Sequence, residues 1–275
     1  MENKISIIAV IGPTASGKSA KAVELARERN GEVISVDSRQ VYRGLDIGTE
    51  KTSLEEMVGI PHYLIDIVEP KDTYSAGDFV RDANALITDI TARGKVPILC
   101  GGTHFYFDAL LYGLPVHTAV DEAYRAELEA KSEAELYAEI ENKDPRRAGM
   151  LDKNNKRRLV RALEIIAIHG KVPERETKES IYDVEWVVID PPKDVLRERL
   201  DARLMQTLEK GLVDEVKRVR DEVGDARLNE LGLEYKIVGE YLRGELEERA
   251  LFTTLSNKLW QYARHQKQWL RKLGH

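Results

Sequence analysis

Apolar and polar positions along this chain follow two alternating periods. Ile5 to Ile11 is apolar except for Ser6, a short continuous run that reads as a strand buried on both faces. Val33-Ile34-Ser35-Val36, Tyr63-Leu64-Ile65-Asp66-Ile67, Val96-Pro97-Ile98-Leu99-Cys100 and Trp186-Val187-Val188-Ile189 are further runs of this kind, rich in β-branched residues. Between them the period becomes helical. Ala20–Arg29 follows the first run. From Ala76 to Arg93, the residues Phe79, Val80, Ala83, Leu86, Ile87 and Ile90 recur at helical spacing, and Gly94 ends the segment. Val195–Val223 reads as helix with a break at Gly211. A last helix is predicted over 246–273, where Leu255, Leu259, Tyr262, Gln266, Trp269 and Leu273 share one stripe that Gln266 interrupts. Strands alternating with helices predict an α/β fold, a mostly parallel sheet flanked by helices. Residues 116–150 break the pattern, being charged, helix-rich and poor in strand signals. They predict a small helical insertion, with 1–115 and 151–275 forming the core.

The turn after the first strand reads Gly12-Pro13-Thr14-Ala15-Ser16-Gly17-Lys18-Ser19. Strand, glycine-bounded loop, Lys-Ser and helix is the P-loop order G-x-x-x-x-G-K-[ST], a nucleotide-binding, ATP-type motif. It makes the core P-loop NTPase-like. Glycines allow the tight backbone, and the loop amides and helix N-terminus converge on one anion. Lys18 adds a positive charge for the outer phosphate oxygens, and Ser19 offers a hydroxyl to Mg²⁺. The four fixed positions match by chance in roughly one chain in a hundred of this length, and the strand and helix around them make chance rarer. The pattern predicts a di- or triphosphate ligand without saying which.

Composition narrows the class. The chain has 275 residues, 42% of them apolar and 33% charged, which suits one large domain or a domain with an insertion. One cysteine, Cys100, excludes an internal disulfide framework. No apolar stretch approaches the length of a membrane span, and the expected location is the cytoplasm. The net charge of −6 hides an uneven distribution. Asp121–Glu141 holds eight acidic residues against Arg125 and Lys131, whereas Lys143–Arg161 holds eight basic residues against Asp144 and Asp152. Beyond Glu248 there is no acidic residue, but there are Arg249, Lys258, Arg264, Lys267, Arg271 and Lys272. Arg264, Lys267 and Arg271 are expected to share one helix face. Such patches on an acidic body either bind a polyanion locally or are solvated helix faces.

Three strand ends are expected at one sheet edge, where open α/β sheets collect ligands. They bring the P-loop, Asp37 of Asp37-Ser38-Arg39-Gln40, and Thr103 of Gly101-Gly102-Thr103-His104. Asp37 is read as a general base, a Mg²⁺ ligand or a capping aspartate. Thr103 is read as a site hydroxyl or a turn residue, and His104 as a local packing or polar contact. The fourth strand ends in Gly-Gly-Thr rather than in the aspartate common in ATPases, which favours phosphate binding followed by chemistry other than ATP hydrolysis. The histidines and cysteine form no metal-binding pattern.

Taken in order, GPTASGKS (Gly12–Ser19), ISVDSRQVYRGLDIGTEK (Ile34–Lys51), PHYLIDI (Pro61–Ile67), YSAGDF (Tyr74–Phe79), GGTHFY (Gly101–Tyr106), RRLVRALEI (Arg157–Ile165) and WQYARHQKQWLR (Trp260–Arg271) resemble the bacterial tRNA dimethylallyltransferases, also called tRNA isopentenyltransferases. The resemblance covers nearly the whole chain. It implies that the P-loop holds dimethylallyl diphosphate, that the nucleophile is N6 of the adenine 3′ of the anticodon, and that this base is flipped out to reach the donor. It implies further that Asp37 takes the N6 proton, that Thr103 helps hold the base, and that Arg203, Lys18, the loop amides and Mg²⁺ near Ser19 stabilise the leaving diphosphate. Asp37, Ser38, Arg39 and Gln40, together with Arg157, Arg158, Leu159, Val160 and Arg161, match stretches that touch tRNA, and Arg125 matches a further contact. The basic face Arg264, Lys267 and Arg271 would add backbone contacts. The protein is expected to act as a monomer. One departure is Leu231-Gly232-Leu233-Glu234-Tyr235-Lys236, where the family usually has an Ile-Gly-Tyr-Lys type of segment. Glu234 puts an acid near the expected RNA surface. The other readings are a small-molecule P-loop kinase, which needs no basic patches; a nucleotide-dependent RNA-binding module, which needs no Asp37; and an enzyme that prenylates free AMP or ATP.

Overall fold

A computed structural model describes residues 4–114, 121–174 and 179–272. In chain order the elements are β1 (Ser6–Ile11), α1 (Lys18–Glu28), β2 (Gly31–Val36), α2 (Leu54–Met57), β3 (His62–Tyr63), α3 (Ala76–Ala92), β4 (Val96–Gly101), α4 (His104–Tyr112), α5 (Glu122–Ala130), α6 (Glu133–Lys143), α7 (Pro145–Ala148), α8 (Lys156–His169), β5 (Asp183–Val188), α9 (Lys193–Glu209), α10 (Leu212–Leu228), α11 (Leu233–Leu242) and α12 (Glu248–Lys272). The chain divides into two compact units, Met1–Tyr112 with Glu179–His275, and Gly113–Lys178.

In the larger unit the strands form one parallel sheet in the order β3-β2-β4-β1-β5. Side chains alternate across it with period two. Ile7, Ala9 and Ile11 pack with Ile34, Val36 and Leu99 under α3 and α4. Ile8 and Val10 pack with Val33, Ile98 and Cys100 under Ala22, Leu25 and Ala26 of α1. Both faces are covered, which is why the strands read as unbroken apolar runs. Helix α3 begins at a capping box of Ser75 and Asp78. On its buried stripe, Phe79 stacks on Tyr106 of α4 at 4.5 Å.

Registers decide where the site lies. Ile11 and Val36 both pair with Gly101, from opposite sides of β4. The residues that follow, Gly12, Gly102 and Asp37, therefore leave the sheet side by side. Strands are spaced about 4.8 Å apart, so Gly12 and Asp37 start about 10 Å from each other with Gly102 between them. Gly101 must lack a side chain, since a Cβ there would lie 2.1 Å from the Val36 carbonyl oxygen.

A second layer, α9 to α12, packs on the loop after β2. Val41, Tyr42 and Leu45 are buried against Leu212, Val216, Val219, Leu228 and Tyr235. Glu215 of α10 accepts backbone N–H bonds from Asp46, Ile47 and Gly48 at 2.8–2.9 Å and the Tyr235 hydroxyl at 2.6 Å. One buried carboxylate thus replaces the hydrogen bonds that strands would have supplied.

The smaller unit is helical, with Leu128, Leu136 and Ile140 buried against Leu159, Leu163 and Ile166. Its extent corrects the expected insertion of 116–150. Helix α8 belongs with α5 and α6, because its apolar face is buried among their side chains, and the unit runs on to Lys178. Residues 115–120, where the insertion was expected to begin, lie outside the described residues, as does Leu273 of the last stripe. The third strand is shorter than expected. Leu64 and Asp66 adopt left-handed backbone (φ 61° and 56°), which ends the extended run. Helix α10 continues past Val223 to Leu228 across a kink at Gly224. Among the described residues no helix is long and apolar enough to cross a membrane.

Candidate active site

The P-loop leaves β1 at Gly12, where a Cβ would lie 2.5 Å from the Ile189 carbonyl oxygen, so only glycine lets the loop pass the end of β5. Gly17 takes φ 95° and opens α1 at Lys18. The Ser16 hydroxyl is buried and has no hydrogen-bond partner among the described residues. Among the described residues Lys18 Nζ makes a single long hydrogen bond, 3.5 Å, to the Pro13 carbonyl. Burial pushes the Lys18 pKa down and the nearby Arg203 lowers it further, while Cys100, Asp37 and Glu50 oppose the shift. An unsatisfied hydroxyl, a desolvated ammonium and a helix N-terminus around one turn are the makings of an anion site.

Neighbouring elements hold the loop in place. Gln266 of α12 is 2% exposed. Its Oε1 accepts from the Thr14 backbone N–H at 2.8 Å, and its Nε2 donates to the Gly102 carbonyl at 3.1 Å. The polar residue that interrupts the apolar stripe of α12 is therefore a bridge between the loops after β1 and β4. From α9, Arg199 Nη1 donates to the Ser16 carbonyl at 3.3 Å.

Asp37 follows β2 and folds back on itself. Its Oδ1 accepts the backbone N–H groups of Arg39 (2.8 Å) and Gln40 (3.3 Å), an Asx turn that fixes the carboxylate and leaves Oδ2 uncommitted among the described residues. Thr103 supports this turn, its Oγ1 accepting from the Ser38 N–H at 3.1 Å while its own N–H donates to the Val36 carbonyl at 3.2 Å. Gln40 is engaged inside the protein, accepting from the Ser35 hydroxyl and donating to the Thr49 and Glu50 carbonyls at 3.2 and 3.3 Å. Arg39 Nη1 donates to the Glu230 carbonyl at 2.5 Å. Of the four residues Asp37–Gln40, Gln40 is thus a brace for the loop, its side-chain amide committed to Ser35, Thr49 and Glu50.

Arg203 of α9 ion-pairs with Glu50, which also accepts from the Thr14 hydroxyl at 3.5 Å. Glu50 sits near Lys18 and Asp37 as well. Burial raises its pKa against the pull of Arg203 and Lys18. Glu234, at the start of α11, lies in the same field. Burial pushes its carboxyl up to about 7, and the charges of Glu50 and Asp37 push the same way. The departure at Glu234 therefore lies close to the candidate chemistry. His104 stacks on Trp269 at 4.3 Å, and burial with the charge of Lys18 pushes its pKa down to about 4. It is a neutral packing contact at pH 7. Cys100 lies buried near Lys18 and Ser19, and burial pushes its thiol up to about 11 against their pull.

Three expected RNA-contact side chains are placed differently. Lys267 is buried, ion-paired with Asp190 and donating to the Pro191 carbonyl at 2.8 Å, while Arg264 and Arg271 are exposed. In the smaller unit Leu159 and Val160 are core residues at 0% and 5% exposure and cannot present their side chains to a ligand. Arg157 and Arg158 are exposed. Arg125 grips the buried Glu164 with two bonds at 2.7 and 3.0 Å, and Arg161 adds a third at 3.0 Å. Those bonds outweigh the burial of Glu164 and hold its pKa down.

The sequence reading missed Gln266, Glu215 and Glu50 as functional supports. For Gln266 a signal existed, a lone amide in an apolar stripe. Glu215 and Glu50 look like ordinary surface acids, and only their partners in the fold set them apart.

Known proteins resemble this chain over nearly its whole length. The family model described as IPP transferase matches residues 40–273. A tRNA dimethylallyltransferase from Thermomicrobium roseum is 40% identical over 99% of this chain and 85% of its own length. One from Halalkalibacterium halodurans is 39% identical over 98% and 88%. Among solved structures, the tRNA isopentenylpyrophosphate transferase of Bacillus halodurans superposes with a TM-score of 0.74 at 39% identity, covering 98% of this chain and 87% of that one. A eukaryotic dimethylallyltransferase acting on tRNA gives 0.83 at 29% identity, over 97% and 70%. A match that runs from the end of the Asp37 turn through the helix bearing Gln266 leaves one assignment: this chain belongs to the IPP transferase family, the tRNA dimethylallyltransferases.

Proposed function

We propose that the protein transfers a dimethylallyl group from dimethylallyl diphosphate to N6 of the adenine 3′ of the anticodon in tRNA. The C1–O bond to diphosphate breaks as the N6–C1 bond forms, and the N6 proton passes to Asp37 Oδ2. The single observation behind this reading is the pairing across the sheet edge. An aspartate with one oxygen pinned and one uncommitted stands beside a loop whose buried hydroxyl lacks a partner.

The pinned oxygen orients the base, and the uncommitted one is within the family's role of general base. Lys18, Arg203 and the loop amides face the leaving diphosphate, where negative charge grows in the transition state. Thr103 keeps the Asp37 turn in register and keeps a hydroxyl proton to offer the adenine. Arg157, Arg158, Arg264 and Arg271 would contribute salt-dependent contacts to the tRNA backbone. Among the described residues no group of three His, Cys, Asp or Glu side chains could hold a metal ion. The Ser19 hydroxyl, in the first turn of α1 close to the unpartnered Ser16 hydroxyl, would be the protein group to hold a Mg²⁺ that arrives with the diphosphate. Such an ion supplies charge neutralisation at the leaving group. The protein is proposed to work as a cytoplasmic monomer.

Incubation with unmodified tRNA, Mg²⁺ and labelled dimethylallyl diphosphate tests the reading. Label in tRNA, lost with Asp37→Asn, is expected. No prenyl label, with γ-phosphate instead moving from ATP to a small acceptor, would overturn it in favour of a kinase.

A further inference from the structure

Glu50 is an unusual residue to find at an anion site. Its backbone takes φ 52°, a left-handed conformation that a residue with a long side chain seldom adopts. The surroundings enforce it. The Glu50 N–H donates to the Ile47 carbonyl at 3.2 Å, and its own carbonyl accepts from Gln40 at 3.3 Å. The adjoining turn is tied to Glu215 through Asp46, Ile47 and Gly48. This rigid frame aims the carboxylate at Arg203 and Thr14, the cation and the loop residue that an incoming diphosphate would also engage. Lys18 lies within electrostatic reach.

We propose that Glu50 is an internal competitor for the diphosphate: its carboxylate occupies Arg203 while the P-loop is empty, gives Arg203 up when the donor binds, and takes it back as product diphosphate leaves. The inference rests on the reading of the P-loop as the diphosphate site. It follows from charge and position. A dianionic or trianionic diphosphate outbids a single carboxylate for Arg203 and Lys18, so the exchange is downhill on binding. The displaced carboxylate remains tethered a few ångströms away by the braced turn. Its repulsion of the bound anion then caps affinity and favours release of product. In this role Glu50 is a positioning residue, acting through Arg203.

The test uses the full-length protein and inorganic diphosphate with Mg²⁺, titrated calorimetrically without tRNA. Wild type, Glu50→Gln and Arg203→Gln are compared, and thermal unfolding of each is recorded. Removing one like charge near the bound anion is expected to tighten diphosphate binding by about tenfold in Glu50→Gln, with the gain shrinking at high salt. Arg203→Gln should weaken binding. In turnover, the KM for dimethylallyl diphosphate should fall in Glu50→Gln and product inhibition should tighten by a similar factor. A merely structural Glu50 would instead give weaker binding and a lower melting temperature. Unchanged or weaker diphosphate binding in Glu50→Gln, with wild type binding normally, overturns the competitor role alone. Wild type failing to bind diphosphate overturns both this inference and the reading of the site.

Discussion

Replacing Gln266 tests how the site is held together. The side chain is buried and makes two hydrogen bonds, to the Thr14 N–H and the Gly102 carbonyl. In Gln266→Leu the volume is nearly kept and both bonds vanish. The Gly102 carbonyl is left buried without its partner, whereas the partly exposed Thr14 N–H can find water. A buried unsatisfied group costs about 1–3 kcal/mol and the second, rescued by water, about 1 kcal/mol. Leucine returns a little through added apolar burial, so the net loss is about 2–3 kcal/mol. For a unit of this size that lowers the melting temperature by about 4–12 °C. The functional effect is separate, because Thr14 and Gly102 are parts of the two loops that flank the anion site. Diphosphate affinity should fall along with stability. Gln266→Glu sharpens the test. A carboxylate can still accept from Thr14 but cannot donate to Gly102, and it adds a negative charge beside the cradle. Its loss of diphosphate affinity should exceed that of leucine. Calorimetric melting and diphosphate titration of both variants decide the matter. A leucine variant that melts within about 1 °C of wild type and binds diphosphate equally well would refute the bridging role, since the orphaned carbonyl alone should cost more.

Other expectations are as direct. Asp37→Asn keeps an acceptor for the Arg39 and Gln40 N–H groups, so tRNA affinity should hold while the single-turnover rate of transfer drops by about 10²–10⁴; an equal loss of tRNA binding would make Asp37 a recognition residue. Glu32, at the start of β2, is bound by Arg93, Lys95 and the Tyr63 hydroxyl, and these bonds, Arg93 foremost, hold its carboxyl down to about 2. A depressed carboxylate stabilises the fold above its ordinary pKa of 4.5, and the contribution fades as pH falls from there toward 2. With a discount for the partly exposed cations, the stability gap between wild type and Glu32→Gln should be about 2 kcal/mol at pH 7 and close to zero near pH 2, measured by urea unfolding across pH. Lys267→Ala should lower the melting temperature through loss of the Asp190 pair and leave the salt dependence of tRNA binding unchanged. Arg264→Ala should do the reverse, reducing the salt slope by about one unit.

Much of the core could be read from periodicity, because strands covered on both faces leave unbroken apolar runs and the P-loop has fixed spacing. The meeting of Gly12, Asp37 and Thr103 at one edge was also legible, since parallel strands with helical crossovers all end on the same side. Partnership between helices was not. The stripe Leu159, Leu163 and Ile166 says that α8 must bury a face, but not that α5 and α6 cover it, so the helical unit runs past the expected boundary at 150. Lys267 shows a related limit. It shares helical spacing with Arg264 and Arg271, yet it also lies four residues after the buried Ala263 and next to Gln266. At the border of a buried stripe, a long side chain goes where its counter-charge is, and Asp190 is distant in sequence. Leu159 and Val160 sit among arginines in the sequence and inside the core in space.

The place of β1 in the sheet bears on how the chain is made. It leaves the ribosome before the other strands of its sheet, and it ends up between β4 and β5. One edge is satisfied once residues 96–101 emerge, but the other waits for 183–188. In the interval the whole Gly113–Lys178 unit is translated. A nascent chain therefore carries an apolar strand with an open edge for about 80 residues of synthesis, several seconds at ordinary elongation rates. Open edges of that kind invite pairing with other chains. The helical unit, whose contacts are local, has time to fold first. Stalled chains ending near residue 178 should be holdase clients and protease-sensitive in the sheet, while chains extended past β5 should shed the chaperone and become resistant.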